Sequence, residues 1–554
     1  MKNLSTAQAE LRPPDTGRPA DNQGKVTLRL RIGITGHRNL TADHPGLTTE
    51  IANAVEYITQ MLATDPDRVQ SGNIVLTAVS SLAEGADRLV AREILGRDRG
   101  NKLEVVLPLP QEDYCRDFSS PASIEEFEKF IRRSASSDIV QAAGTRDEGY
   151  ELAGRAVVDR SDVMIIVWDG ELARGRGGTA EIYSYAQSWQ KPILLISIDD
   201  NSAKLDTRAA KGKTPLSAES MKLLDQYNNE YLSAQALHAS PPLLAQDGPG
   251  PHLEPSTDLN KLLAHVSGYF ARADLLAGRF QQRWFRAIRL LYILAPLAVL
   301  VVAAQVTFAP DRIRIAWAEF AILIIIIAVL ITARVKRWHQ RWVTARYLAE
   351  QIRSLMFLGL TGIVTLERAV AAADREAADE SSWTERAANE IWFTRPRCPP
   401  PADISPLVRV LYEQWIKKQQ EYHRRVSRHY QTLSTRLQAA TVALFGLSAL
   451  FALLHSLGTA STQSRPFKWW DFLAIAIPGV AAALGGYGAQ RDYLRHAERS
   501  KVFASTLEIA SERFLAAGSL PDVQQAALSV SRAMRSEATD WYTVVHSQNV
   551  ELPS

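Results

Sequence analysis

The sequence predicts two architectures in one chain: a doubly wound, Rossmann-like parallel α/β sheet, followed by an all-α membrane module. The module has four transmembrane helices in two repeated hairpins with cytoplasmic helices. Three observations carry this expectation. Short apolar strands alternate with helical patterns from Val26 to about residue 200, four long apolar runs follow residue 257, and arginines bracket each pair of runs. Alternation of this kind implies a sheet covered on both faces.

Within the first part, 26–35 (VTLRLRIGIT), 73–79 (NIVLTAV), 103–109 (LEVVLPL), 163–168 (VMIIVW) and 192–198 (PILLISI) read as strands. Helical spacing runs through 47–62, 86–95, 149–160 and 179–190, and 110–147 is less regular. Residues 1–24 are polar and contain Pro, which predicts a disordered leader, and the sheet domain is assigned to 25–200. A polar connector is expected at 201–256. The two hairpin units are assigned to 257–400 and 401–549.

Ile315 to Ala333 is nineteen residues with one charge, Glu319. As a helix it is roughly 28 Å long, close to the hydrocarbon thickness of a bilayer. Leu290 to Phe308 is a second such run, separated from it by Ala309 to Arg314, so the two form a hairpin. Gln438 to Leu457 and Trp469 to Tyr487 form another. An Ala-Glu dipeptide follows each pair, at Glu350 and Glu498; their offset, 498 − 350 = 148, also maps Leu290 onto Gln438, which suggests an internal duplication. Arg279, Arg283, Arg286 and Arg289 precede the first hairpin and Arg334, Lys336, Arg337 and Arg341 follow it. The second repeats the pattern, whereas the connecting loops hold few positive residues. By the positive-inside rule both termini are cytoplasmic in a multi-pass protein of the inner (plasma) membrane.

The chain has 554 residues, a mass of 61.4 kDa and a net charge of +3. No nucleic-acid partner is expected. Cys115 and Cys398 stand far apart, so neither a disulfide framework nor a zinc cluster is foreseen, and no metal ligands are assigned.

In doubly wound sheets ligands sit beyond the carboxyl ends of the strands. Four loops fall there. The first contains Gly33, Thr35, Gly36, His37 and Arg38: glycine admits a close ligand approach and Arg38 suits a phosphate. The second contains Ser80, Glu84, Gly85 and Asp87, and the third is Trp168 and Asp169. The fourth is a glycine-rich stretch from Arg174 through Gly177, Gly178 and Thr179 to Glu181 that opens a helix, a geometry that offers free N–H donors to an anion. These fifteen positions form the candidate ligand-binding set; no catalytic residue is assigned.

The stretches GITGHR, SLAEGAD, VMIIVWDG and GGT together resemble the SLOG family, a Rossmann-like superfamily that includes the LOG phosphoribohydrolases and the DNA-processing protein A. The resemblance covers about residues 26–200 and implies binding of a nucleotide or NAD-derived ligand, with no other cofactor. The LOG enzymes carry PGGxGTxxE, whose Glu acts in catalysis with an upstream Arg. Here the stretch is GRGGTAE, with no Pro before the glycines and one residue fewer between Thr179 and Glu181, a departure that weighs against the enzymatic role. The pairing with two-transmembrane hairpins resembles the SLATT architecture (SMODS and SLOG associating two-transmembrane effectors), over about residues 257–549. That resemblance implies a membrane effector in bacterial antiviral defence, triggered by a nucleotide signal and acting through a pore. The expectation is a homo-oligomeric sensor-effector whose partners are a small-molecule nucleotide signal and membrane lipid. The alternatives are a membrane-tethered nucleotide N-glycosidase and a non-catalytic scaffold.

Overall fold

The computed structural model describes residues 23–38, 40–41, 43–62, 74–98, 100–140, 145–171, 177–199, 201–211, 218–244, 253–363, 382–396, 398–458 and 465–546. The leader to residue 22, Arg174 to Arg176 and most of the second hairpin loop lie outside them. The chain divides into two compact units, Val26–Glu230 and a helical unit comprising Met1–Lys25 with Tyr231–Ser554.

In the first unit, among the described residues, seven strands form one sheet: β1 (Leu28–Gly36), β2 (Ile74–Ser80), β3 (Lys102–Leu107), β4 (Ser136–Ile139), β5 (Val163–Trp168), β6 (Ile193–Ile198) and β7 (Ala203–Asp206). Their order is β4-β3-β2-β1-β5-β6-β7, parallel except for the antiparallel edge strand β7. The five strands expected from apolar runs are all present. Val163 to Val167 of β5 are fully buried, as befits a central strand covered on both faces. The helices are α1 (Leu47–Leu62), α2 (Ala86–Arg97), α3 (Gln111–Cys115), α4 (Pro121–Arg133), α5 (Arg146–Arg160), α6 (Thr179–Ser188) and α7 (Ala218–Asn229).

Two corrections concern extent. The stretch 110–147 supplies α3, α4 and the short strand β4, whose sequence SSDI has no apolar run to betray it. Residues 203–206, inside the expected connector, pair with β6, and α7 belongs to the same unit: Asn228 accepts from the Val26 N–H at 3.0 Å and donates to the Val26 carbonyl at 2.8 Å. The sheet unit therefore ends at Glu230 rather than at 200.

The helical unit begins with α8 (Ala234–His238) and continues into α9 (Thr257–Phe308), a helix of 52 residues that Ser256 caps by accepting from the Leu259 N–H at 3.1 Å. One uninterrupted helix thus leads into the first apolar run. Then come α10 (Arg314–Val335), α11 (Trp338–Leu360), α12 (Ser382–Phe393) and α13 (Ser405–Val410). A π-helical stretch (Leu411–Lys417) joins α13 to α14 (Lys418–Gly458), and α15 (Arg465–Arg491), α16 (Tyr493–Leu515) and α17 (Leu520–His546) complete the unit. Among the described residues, four helices are long and apolar enough to cross a membrane. Their apolar side chains, such as Ile293, Phe320, Ile331, Phe445 and Leu453, point outward.

The duplication is visible in the backbone. Each hairpin ends at a residue in the left-handed region, Arg337 (φ 47°) and Asp492 (φ 43°), and a helix of 23 residues follows each. The structural offset there is 492 − 337 = 155, not 148; α15 starts 465 − 314 = 151 residues after α10 and has 27 residues where α10 has 22. The Ala-Glu dipeptides are thus out of register: Glu350 stands thirteen residues after the break and Glu498 six. Trp392 is 1% exposed in the helical core, and Trp342 packs beside Phe285, His339 and Trp541.

Candidate functional site

The strand order reverses direction between β1 and β5, since β2, β3 and β4 lie to one side of β1 and β5, β6 and β7 to the other. Such a switch point opens a crevice beyond the carboxyl ends of the two strands. His37 follows β1, and Asp169 follows β5. Across the crevice His37 Nε2 lies 2.8 Å from Asp169 Oδ1 and 3.2 Å from the Asp169 N–H, and both side chains are about one-quarter exposed. The His37 N–H donates to the Val167 carbonyl at 3.2 Å, which continues the sheet ladder by one residue and fixes the loop's exit.

The second loop holds this one in place. Gly85 (φ 80°) brings the start of α2 against the backbone of His37 and Arg38; a Cβ there would stand 2.4 Å from the Arg38 carbonyl oxygen. The Ala86 N–H donates to the His37 carbonyl at 3.1 Å, and a Cβ on Gly36 would meet the Ala86 Cβ at 2.6 Å. Ser80, fully buried, donates to Asp87 Oδ2 at 2.7 Å and accepts from the Leu82 N–H at 2.8 Å, pinning the left-handed turn at Leu82. Glu84 points to the start of α4, where it accepts from the Ser119 N–H (2.9 Å), the Ser119 hydroxyl (2.7 Å) and the Ser123 hydroxyl. Those bonds, with Arg88, outweigh burial and hold its carboxyl below the usual range. Asp87 is 5% exposed. Burial pushes its carboxyl up to about 6, against the opposing pull of Ser80, Arg38 and Arg88.

On the other side, the N-terminal turns of α5 gather two of the loops. A Cβ on Gly177 (φ 76°) would lie 2.6 Å from the Glu151 N and 2.7 Å from the Tyr150 carbonyl carbon, so only glycine fits. The Arg38 guanidinium sits 4.8 Å from the centre of the Tyr150 ring. Arg38 and the glycine loop therefore meet at one residue, Tyr150, whose hydroxyl also bonds Asp117. Glu181 accepts from the Gly177 N–H at 2.9 Å and lies 3.5 Å from Arg155, which pairs with Glu151. Gly178 is the N-cap of α6 and Gly85 that of α2; neither supplies a side-chain cap, and at the start of α2 the Ala86 N–H is taken by the His37 carbonyl.

The fifteen sequence-derived positions thus separate by role. His37, Arg38 and Asp169 lie beyond the carboxyl ends of β1 and β5, and the Gly178–Thr179 turn opens α6. Ser80, Glu84, Gly85 and Asp87 support the His37–Arg38 backbone, Gly36 admits α2, and Glu181 latches the glycine loop. Thr35 is half-buried at the end of β1, and Trp168 packs on Tyr183 with ring centres 5.2 Å apart. Gly33 lies deeper in β1, where a Cβ would stand 2.2 Å from Ser161 Oγ, so its bareness serves strand packing. Sequence reading missed Tyr150, Arg155 and Asp117. The first two sit in GYELAGRAVVDR, where the helical period drew notice and the polar face did not. No family model matches this chain, and no curated protein matches it.

Proposed function

We propose that the chain is a membrane-anchored sensor whose sheet unit binds a nucleotide-like anion at the β1/β5 switch point and whose apolar helices respond within the membrane. The observation that supports this most directly is the His37–Asp169 pair at the carboxyl ends of β1 and β5, together with the start of α6, which has no side-chain cap. Helix N-termini favour anions, and Arg38 adds a charge-assisted donor. Glu181 is committed to the Gly177 N–H and Arg155, which favours binding over hydrolysis by a LOG-like carboxylate. In the membrane part only 6% of each most apolar window containing α10 and α14 residues is buried, so these runs leave broad apolar faces for lipid or for further copies. A response requires only that the ligand prefer one arrangement of the assembly.

Calorimetry on the full-length protein in nanodiscs, with a nucleotide panel and chromatography of the recovered ligand, tests this reading. Arg38→Ala removes a bond worth roughly 1.5 to 3 kcal/mol, about ten- to hundredfold in affinity. Gly178→Val adds bulk where φ is −68°, a conformation any residue adopts, and is expected to block binding while the protein stays folded. Ligand recovered unchanged agrees with a sensor, and released free base identifies the glycosidase. Undiminished binding by both variants removes this rim from consideration.

A further inference from the structure

Counted from the left-handed breaks at Arg337 and Asp492, α11 and α16 correspond residue for residue at an offset of 155, yet one face of the repeat is treated differently in the two. In α11 that face holds Tyr347, Gln351 and Ser354, which are 2%, 1% and 4% exposed. α17 packs on it: the Tyr347 and Tyr542 ring centres are 5.2 Å apart, and the Tyr347 hydroxyl lies 3.3 Å from Thr539 Oγ1. The corresponding residues of α16 are Val502, Thr506 and Ile509. Here the face is open. Val502 is 65% and Ile509 59% exposed, and Ser505 and Thr506 between them are exposed as well.

Residues spaced by three, four and seven share one side of a helix, so these four form a patch two turns long. Its two small side chains are flanked by two β-branched apolar ones, a relief into which the ridges of a second helix fit. Covering it orphans no donor. Ser505 already donates to the carbonyls of Lys501 (3.2 Å) and Val502 (2.9 Å), and Thr506 donates to that of Val502 at 3.2 Å.

A bilayer around the apolar runs does not reach this patch. Phe503 packs on His423 with ring centres 4.8 Å apart, and Glu508 pairs with Arg424 at 2.9 Å. The patch therefore lies beside a part of α14 that precedes the third apolar run by 438 − 424 = 14 residues, about 21 Å of helix. Headgroups add only about 5–7 Å to each side of the hydrocarbon core. The occupant is then a protein surface. Each end of the patch carries both signs of charge, Glu498 with Lys501 at one end and Glu512 with Arg513 at the other. All four side chains are exposed, and none has an ion-pair partner among the described residues.

Copies held in one bilayer share depth and orientation, so the same patch on two of them can meet about a two-fold axis along the membrane normal. About such an axis each end meets charges of both signs rather than only its own like charges. We infer that the α16 face formed by Val502, Ser505, Thr506 and Ile509 docks on the same face of a second copy, joining two chains by a helix pair outside the bilayer. This contact gives the second repeat the helix cover that α17 gives the first. It adds to the sensor reading a place where copies meet, and it does not depend on what the rim binds.

The test uses the full-length protein carrying Cys115→Ser and Cys398→Ser as the parent. In Ser505→Cys the new thiols of two copies face each other near the axis, and mild oxidation in native membranes is expected to give a covalent dimer. Ser529→Cys, exposed on α17, is expected not to cross-link under the same oxidation. Mass photometry in detergent over a concentration series follows association without cross-linking. The parent is expected to dimerise, and Val502→Glu combined with Ile509→Glu to raise the dissociation constant at least tenfold. Because both side chains are exposed, Tm of that variant is expected to match the parent's at concentrations where both are monomeric. A parent that stays monomeric throughout overturns the inference and leaves the face to a different protein. A dimer that does not cross-link through Ser505→Cys, or whose dissociation constant is unchanged in the double variant, overturns it as well. A lowered Tm of the monomeric double variant would mean that the patch packs within its own chain, with the same consequence.

Discussion

Asp87 shows how a residue chosen for ligand chemistry can be spent on architecture. Its carboxylate accepts from Ser80, and the resulting turn carries the backbone that His37 and Arg38 leave. The cost of burying that charge has a definite sign. The folded value of about 6 lies above the ordinary 3.8, so stability from this group is fully present below about pH 4 and is lost as pH rises through 6. Two units correspond to roughly 3 kcal/mol as an upper bound. Asp87→Asn cannot ionise, so amide exchange in α2 is expected to be slower than in the native protein at pH 7.5, with the difference vanishing near pH 4. Faster exchange at pH 7.5 would mean that the ionised carboxylate is the stabilising form.

At the level of elements, glycine decides how the membrane helices approach. A Cβ on Gly479 of α15 would stand 2.9 Å from Val299 Cγ1 of α9, and one on Gly486 would lie 3.1 Å from the Tyr292 ring. Small residues permit such closeness, and packing rather than hydrophobic burial holds helices together in lipid. Gly479→Leu is expected to cost about 1–3 kcal/mol and to lower Tm in detergent. Gly446→Leu adds the same bulk where nothing lies within 4 Å and is expected to leave Tm unchanged. Equal losses at both positions would place a second copy against Gly446. The two left-handed breaks offer a complementary check. A side chain at positive φ carries about 1–2 kcal/mol of strain, so Arg337→Gly and Asp492→Gly are expected to be tolerated even though each sits between long helices.

For the molecule as a whole, the positive-inside rule applied to the asymmetric arginines predicts the short hairpin loops on one side of the membrane and the sheet unit and long connectors on the other. With Cys115 and Cys398 replaced by Ser, Asp311→Cys is expected to react with an impermeant thiol reagent in intact cells. Lys129→Cys, on the exposed face of α4, is expected to react only after lysis. Labelling of Lys129→Cys in intact cells would invert the topology. The same experiment bears on the sensor reading, because an intracellular nucleotide signal requires the rim to face the cytoplasm.

Local pattern by itself determined the main elements: five strands written as apolar runs, four membrane-length helices written as longer ones, and the hairpin repeat written in their spacing. These are legible because hydrophobic period and length are properties of contiguous residues. Strands β4 and β7 escaped because SSDI and AKLD are polar, edge-side segments whose strand character comes from the neighbour they pair with. The rim was legible as four loops, but the split between ligand-facing and supporting residues was not, since it depends on where Ser119, Ser123 and Tyr150 arrive from other parts of the chain. The Ala-Glu dipeptides show the same limit: equal letters at a constant spacing put Glu350 among Arg346 and Arg353 and left Glu498 exposed, because the two stand at different distances from the breaks that start their helices and so meet different neighbours. A cavity in the helical unit belongs wholly to tertiary structure, since its wall joins residues up to 271 positions apart, from Asp274 to Val545, that only folding brings together.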